Sequence, residues 1–99
     1  MGEHLNIDFL EKKHSMKLLY YLNNGPMIKG ELCSKVAVGT ASAQDRIDDL
    51  IRFGLVTEET EKCKPFKKTI ALTDKGKKIA AHIVSIEMIL GENDEEMTP

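Results

Sequence analysis

Residues 31–56 read ELCSKVAVGTASAQDRIDDLIRFGLV, and the spacing of apolar and small residues in this stretch decides the fold. Apolar residues recur at helical intervals on both sides of residues 37–40, which predicts a short helix over 29–36 and a second helix to about Phe53. Gly54 suits the left-handed residue that ends a helix. The positions with apolar or small residues are Leu32, Val36, Val38, Ala43, Ile47, Leu50, Gly54, Leu55 and Val56. This pattern predicts two helices that cross through a tight turn and leave one face of the second helix free.

The flanking sequence adds helices at both ends and a hairpin in the middle. Before the stretch, apolar residues at spacings of three and four predict a helix over 5–24, which ends at Asn23-Asn24-Gly25-Pro26, and a minimal strand follows at Met27-Ile28. After Gly54 the period changes to two, which predicts strands over 55–62 and 67–73. Pro65 marks the loop between them. Thr73-Asp74 then caps a last helix over 75–90. The predicted fold class is α+β, mainly α, in the order α-α-α-β-β-α.

Positive charge is concentrated around the predicted hairpin, although the formal net charge of the chain is −2. Residues 62–78 hold seven of the 14 basic residues, and Asp74 is the only acid among them. Four of these lysines lie beside the loop, at Lys62, Lys64, Lys67 and Lys68. Such lysines neutralise phosphates in nucleic-acid-binding proteins. They also occur as solvated residues that protect strand edges from aggregation.

The motifs resemble those of the winged helix-turn-helix regulators, in the style of the MarR and HxlR groups and of small archaeal winged-helix proteins. The resemblance covers residues 14–80 and is carried by three segments: KLLYYLNNGPMIKGEL, RIDDLIRFGLV and IALTDKGKKIA. It implies a recognition helix over 41–53, a β-hairpin wing over 62–68 and a C-terminal dimerisation helix. It also implies a DNA-binding transcriptional regulator whose partner is duplex DNA.

The resemblance also implies a set of DNA contacts: Ser42, Gln44, Asp45 and Arg46 on the recognition helix, and Lys62, Lys64, Lys67 and Lys68 on the wing. The recognition helix departs from the usual pattern because it also carries Asp48 and Asp49, and carboxylates repel phosphates. We expect Asp48 and Asp49 to pair with Arg52 or with other basic residues. The acidic helix keeps open an alternative function, a winged-helix module that binds another protein without sequence-specific DNA binding.

The last helix carries an apolar seam that favours a homodimer. Ile79, Ile83, Ile86 and Leu90 follow the 4-3-4 spacing of a short coiled coil. Leu5 and Phe9 of the first helix are expected to supply the other half of the interface, as the resemblance to MarR-like dimers implies. Alternatively, both helices cover only their own core. We expect residues 1–90 to form one domain and residues 91–99, which hold four acids and no base, to form a flexible acidic tail.

The sequence offers little support for an enzyme, a metal site or a cofactor. His4, His14 and His82 have no ligand-like spacing, and Cys33 and Cys63 form no CxxC pair. No pairing of a nucleophile with a base is apparent. Cys33 is expected in the core and Cys63 at the surface, where it could be an incidental or a redox-sensing thiol. Because no apolar run reaches the length of a membrane span and no signal sequence is apparent, we expect a cytoplasmic protein.

Overall fold

A computed structural model describes residues 4–36 and 41–97 of the chain. It begins with a 3₁₀ helix over Asn6–Glu11. The other elements are α1 (Ser15–Leu22), β1 (Met27–Ile28), α2 (Lys29–Val36), α3 (Ala41–Arg52), β2 (Val56–Thr60), β3 (Lys68–Leu72) and α4 (Asp74–Met97). This order confirms the predicted fold class, with the minimal strand included.

Aliphatic side chains from every α-helix and from the sheet form the core. The buried apolar residues are Leu18, Leu19 and Leu22 of α1; Leu32, Cys33 and Val36 of α2; Ala43, Ile47 and Leu50 of α3; Leu55, Val56 and Ile70 around the sheet; and Ala80 and Ile83 of α4. Burial of such side chains is the main favourable term in folding. The core therefore fixes α3 by one side and leaves its opposite side to solvent.

The prediction of a single helix over 5–24 is wrong, because the helix is interrupted between Glu11 and Ser15. His14 has a left-handed backbone (φ 71°), and the hydroxyl of the buried Ser15 donates to the carbonyl oxygen of Phe9 at 3.1 Å. The physical reason lies in the apolar stripe of α1. One turn before Leu18, the position on the same face of the helix is Ser15, and the positions one turn before that are also polar, so the apolar stripe does not continue. The break brings Phe9 to the core side, where its ring lies 4.5 Å from that of Phe53, between centroids.

The end of α3 agrees with the prediction, whereas its start falls partly outside the described residues. Gly54 has a φ of 78°, and the Leu55 amide donates to the Leu50 carbonyl oxygen at 2.9 Å, as in a Schellman-type cap. From the sequence, Thr40 or Ser42 could be the N-cap of this helix. Thr40 lies outside the described residues, and Ser42 lies inside the helix, which begins at Ala41.

The three strands form an antiparallel sheet in the order β1-β3-β2. Val56 pairs with Leu72 at the base of the β2–β3 hairpin, and Thr60 pairs with Lys68 at its outer end. Both strands are shorter than predicted because residues 61–67 form the loop. This loop contains a cis peptide bond before Pro65, and the Phe66 amide donates to the Cys63 carbonyl oxygen at 2.9 Å. The hairpin is the predicted wing.

One junction joins the end of α3, the wing and the start of α4. The Thr73 amide donates to the Leu55 carbonyl oxygen at 2.9 Å, and the Thr73 hydroxyl donates to the Gly54 carbonyl oxygen at 2.7 Å. The same hydroxyl oxygen accepts the Gly76 amide at 3.1 Å, so Thr73 is the N-cap of α4. Gly76 packs directly against this junction. A side chain would not fit there, because a Cβ would lie 2.0 Å from the Leu55 carbonyl oxygen.

The last helix extends further than its apolar pattern predicted, to Met97 rather than to residue 90. Glutamate is a good helix former, and the segment after Leu90 contains several glutamates and no proline before Pro99. The acidic segment therefore continues the helical backbone of α4. None of the helices in the described ranges is long and apolar enough to cross a membrane.

Gly76→Ala is expected to destabilise the fold by on the order of 3 kcal/mol, because the new methyl group would meet a backbone carbonyl that cannot move without shifting the wing. Gly91→Ala is the matched control in the same helix, since nothing lies within 4 Å of its Cβ position. That substitution should stabilise the protein by up to about 1 kcal/mol through helix propensity. Urea unfolding followed by circular dichroism measures both. Equal effects of the two substitutions would contradict the proposed close contact.

Candidate nucleic-acid interface

The solvent-facing side of α3 is polar and carries more negative than positive charge. Ala43, Ile47 and Leu50 hold the helix against the core. On the opposite side the exposed residues are Gln44, Asp45, Asp48, Ile51 and Arg52. Two carboxylates and one guanidinium on this face give it a net negative charge. The face is free to enter a groove, but its own charge opposes the approach of phosphates.

Two of the predicted DNA contacts, Ser42 and Arg46, make contacts within the molecule. The hydroxyl of Ser42 lies 3.2 Å from Nε2 of His14. The Nε–H of Arg46 donates to the Lys13 carbonyl oxygen at 3.0 Å, and its guanidinium forms an ion pair with Asp49. Both side chains are only partly exposed. Ser42 and Arg46 thus fasten the turn before α1 to the first half of α3, a role that spacing along α3 does not reveal.

The predicted pairing of the helix aspartates is confirmed for Asp49. One carboxylate oxygen of Asp49 contacts the Arg46 guanidinium, and the other lies 3.1 Å from Nη1 of Arg52. Asp48 is exposed, and within the described ranges it has no ion-pair partner. Asp45 is exposed as well. The negative charge of α3 that would repel phosphates therefore comes from Asp45 and Asp48.

The wing presents lysines on an exposed hairpin. Lys62, Lys64, Lys67 and Lys68 are all exposed. The Glu61 amide donates to the Lys67 carbonyl oxygen at 2.9 Å, which closes the loop, and Phe66 is 48% exposed near the tip. No group of three His, Cys, Asp or Glu side chains suited to a metal ion occurs in the described part of the chain.

Lys68, the first residue of β3, differs from the other wing lysines because it lies near the carboxylate of Glu58. This carboxylate lies 3.0 Å from Nζ of Lys29 and 3.9 Å from Nζ of Lys68. These contacts join α2 to the middle of β2 and partly offset the charge of Lys68. Among the described residues, Lys62, Lys64 and Lys67 have no such carboxylate partner. The unpaired positive charge of the wing therefore lies toward its tip.

The two cysteines have opposite surroundings, as predicted. Cys33 is fully buried in α2, and this burial raises the pKa of its thiol, while Lys29 acts weakly in the opposite direction. Cys63 is exposed in the wing loop. The thiolate is the reactive form of cysteine. Of the two thiols, that of Cys63 is therefore the one accessible from solvent.

The structure divides the predicted dimer seam into two parts. Ile83 lies in the core, only 7% exposed, and Ile79 packs against that core. In contrast, Ile86 is 50% exposed and Leu90 is 59% exposed. Further exposed apolar residues of the same helix are Met88 and Ile89. The outer half of α4 is thus an apolar surface that its own domain leaves uncovered.

A groove of about 570 Å³ lies between the 3₁₀ helix and the start of α4. Its apolar lining is Leu5, Ile7, Phe9, Leu10, Phe53, Leu55 and Ile79. Leu5 is 51% exposed and Ile7 60% exposed, whereas Phe9 packs against the core. Its polar lining is Lys12, Lys75, Asp8, His4 and Asn6.

Comparisons with known proteins identify the fold. A protein of Porphyromonas gingivalis designated a candidate MarR-family transcriptional regulator superimposes with a TM-score of 0.81 and 18% identity, over 94% of this chain and 97% of that one. A candidate HxlR-family transcription factor of Thermoplasma volcanium gives a TM-score of 0.77 and 24% identity, over 93% and 84%. A protein of Archaeoglobus fulgidus gives a TM-score of 0.69 and 27% identity, over 87% and 97%. No protein-family model and no curated protein matches the sequence.

These neighbours confirm the winged helix-turn-helix fold that the sequence motifs indicated. The match extends over nearly the whole chain in each case. At these identities the likeness establishes the arrangement of helices and wing, whereas the chemistry of α3 and of the wing depends on the residues of this chain.

His14 makes the stability of the fold depend on pH. Burial, followed by the charges of Lys13, Lys17 and Arg46, lowers the pKa of His14 below its usual 6.5. The unfolded chain therefore binds more protons near this pH, so the free energy of unfolding should fall as the pH drops through about 6.5. His14→Asn should reduce this fall, because asparagine tolerates a left-handed backbone but does not titrate. Urea unfolding between about pH 7.5 and 5.5 tests this.

His82→Asn is the matched control, since His82 is exposed on α4. The control should keep the pH dependence of the wild-type chain. A pH profile of His14→Asn that is parallel to that of the wild type would contradict the role given to His14.

Proposed function

We propose that this chain is a DNA-binding transcriptional regulator that contacts duplex DNA through α3 and the wing. The observation that carries the proposal is the pairing of a helix with a free polar face and a lysine-bearing hairpin that begins where this helix ends. Neighbours of the same fold are designated transcriptional regulators. That role accounts for a concentration of lysines on a chain of formal net charge −2.

The wing supplies most of the affinity in this proposal. Lysines that neutralise phosphates release condensed counterions, which gives an affinity that is independent of sequence and falls steeply with salt. Lys62, Lys64 and Lys67 are exposed near the tip and are suited to this role. Lys68 contributes less, because Glu58 lies 3.9 Å from its ammonium group.

The exposed face of α3 supplies discrimination between base pairs. A glutamine can form a bidentate hydrogen-bond pair with adenine, and an aspartate can accept a hydrogen bond from the amino group of cytosine. Gln44 and Asp45 are the residues that fit these two roles. The carboxylate of Asp48 repels the phosphates of the DNA, so binding depends on phosphate contacts made by other parts of the protein.

Replacing Lys64 and Lys67 with glutamine should weaken binding to all duplexes alike. For each phosphate that the variant no longer neutralises, the dependence of log affinity on log salt should flatten by about 0.9. Fluorescence anisotropy with a random-sequence duplex at several salt concentrations measures both quantities. The charge-matched control is Lys77→Gln with Lys78→Gln, two exposed lysines on α4. If the wing variant and this control behave alike, the wing is not part of the interface.

The acidic face of α3 favours a second candidate function, a module that binds a protein. Asp45 and Asp48 are exposed and would suit a basic partner surface. The same titration separates the candidates. A wild-type chain that binds no duplex at low salt, where phosphate contacts are strongest, would reject the DNA-binding proposal and favour the protein-binding one.

The proposed regulator acts as a homodimer, and the occupant of its groove is a second copy of the chain. The exposed apolar residues of the outer half of α4 and the groove beside the base of α4 are complementary in character. Their charges also differ in sign, since Glu87 and Glu92 lie on the outer half, whereas the charged residues that line the groove are Lys12, Lys75 and the single acid Asp8. Two-fold pairing of antiparallel α4 helices would bring each outer half to the groove of its partner.

This pairing also has a consequence for DNA recognition. A two-fold dimer that presents two copies of α3 about 34 Å apart would match one turn of DNA and favour a palindromic site. The 24 residues of α4 extend about 36 Å, so the outer half of the helix lies well beyond its own core.

The wild-type chain is expected to sediment as a dimer at micromolar concentration, and Ile86→Glu with Leu90→Glu should convert it to a monomer. Both residues are exposed, so the charges should disrupt the interface and not the core. Met16→Glu, at a residue 43% exposed on α1, is the control and should remain dimeric. A single wild-type species at the monomer mass would overturn the dimer.

A further inference from the structure

A second group of positive charges lies on the turn before α1, which the sequence pattern did not predict, and on the first turn of α1. Lys13 and Lys17 are exposed, and His14 lies between them in sequence and is partly buried. Arg46 donates to the Lys13 carbonyl oxygen at 3.0 Å, and Nε2 of His14 lies 3.2 Å from the Ser42 hydroxyl. We name Lys13, His14 and Lys17, with Arg46 beneath them, the turn patch.

The turn patch has a fixed position relative to α3. Its two hydrogen bonds reach α3 one helical turn apart, at Ser42 and Arg46, so the turn follows the first half of that helix. The left-handed backbone of His14 defines the direction in which the chain enters α1. These bonds fix the backbone from which the exposed side chain of Lys13 extends.

The electrostatic field at the turn patch is positive. Lys13 precedes His14 directly and Lys17 follows it by three positions, and the charges of both, together with Arg46, contribute to the lowered pKa of His14. Asp49 pairs with Arg46 and offsets that guanidinium. The exposed and unbalanced charges are therefore those of Lys13 and Lys17.

We infer that Lys13 and Lys17 form a second phosphate-contacting site for the duplex bound by α3 and the wing. This inference rests on the proposed function and deepens it. The wing joins α3 at its C-terminal end, whereas the turn patch lies along the N-terminal half of the helix. Phosphates that flank the groove entered by α3 would thus be contacted near both ends of the helix.

The arrangement compensates for the acidic face of α3. Asp45 and Asp48 repel phosphates, and no basic side chain in the described first half of α3 is free to offset them, because Arg46 is bound to Lys13 and Asp49. Lys13 and Lys17 supply the missing positive charge from a neighbouring element. The acidic helix then limits binding at incorrect sequences while the flanking lysines position the protein.

The test is Lys13→Gln with Lys17→Gln, assayed by anisotropy against a random-sequence duplex over a series of salt concentrations. The two variants proposed above, at Lys64 and Lys67 and at Lys77 and Lys78, are assayed beside it. If both lysines contact phosphates, the slope of log affinity against log salt should flatten by up to about 1.8 per bound protomer. At about 0.1 M salt this corresponds to an affinity reduced by up to about 60-fold.

The outcomes separate this inference from the proposed function. A turn-patch variant that matches the control at Lys77 and Lys78, while the wing variant shows a flattened slope, overturns the turn patch alone. A wild-type chain that binds no duplex overturns both. If the two sites contact the same duplex independently, a variant that combines the wing and turn-patch changes should flatten the slope by the sum of the two separate effects. Circular dichroism of each variant checks that these exposed substitutions leave the fold unchanged.

Discussion

The carbonyl group of Leu55 is the point on which the rest of the structure depends. It accepts the Thr73 amide at 2.9 Å, and Gly76 packs against it where a methyl group would not fit. The end of α3, the first strand of the wing and the first turn of α4 therefore share one backbone junction. A shift at this point would move the helix face and the hairpin relative to each other, so the geometry of the whole interface is set here.

The charges of the molecule are divided between elements. Lys62, Lys64 and Lys67 of the wing and Lys13 and Lys17 of the turn patch have no carboxylate partner among the described residues, whereas α3 carries the exposed carboxylates of Asp45 and Asp48. Ion pairs within the molecule use the other charged residues near α3: Arg46 and Arg52 both contact Asp49, and Lys29 contacts Glu58. In the proposed function, the lysines therefore supply attraction to the phosphate backbone, and the exposed face of α3 supplies selection of the sequence.

The sequence predicted the elements whose signals are local. The period-two pattern of the strands, the position of Pro65 and the Thr73 cap each depend on a few neighbouring residues, and the structure has all three, although the strands are shorter than predicted. The break before α1 was missed, because Ser15 reads as an ordinary polar helix residue until its bond to the Phe9 carbonyl oxygen is known. The roles of Ser42 and Arg46 were missed for the same reason, since their partners lie about 30 positions away in the sequence.

The contrast between the two thiols has a practical consequence. Cys33 is shielded inside α2 and has a raised pKa, whereas Cys63 is exposed in the loop of the wing. A maleimide dye should therefore react at Cys63 alone under mild conditions. The natural chain thus carries a single labelling position on the element proposed to approach DNA, and fluorescence from that position can report on the surroundings of the wing without any engineered residue.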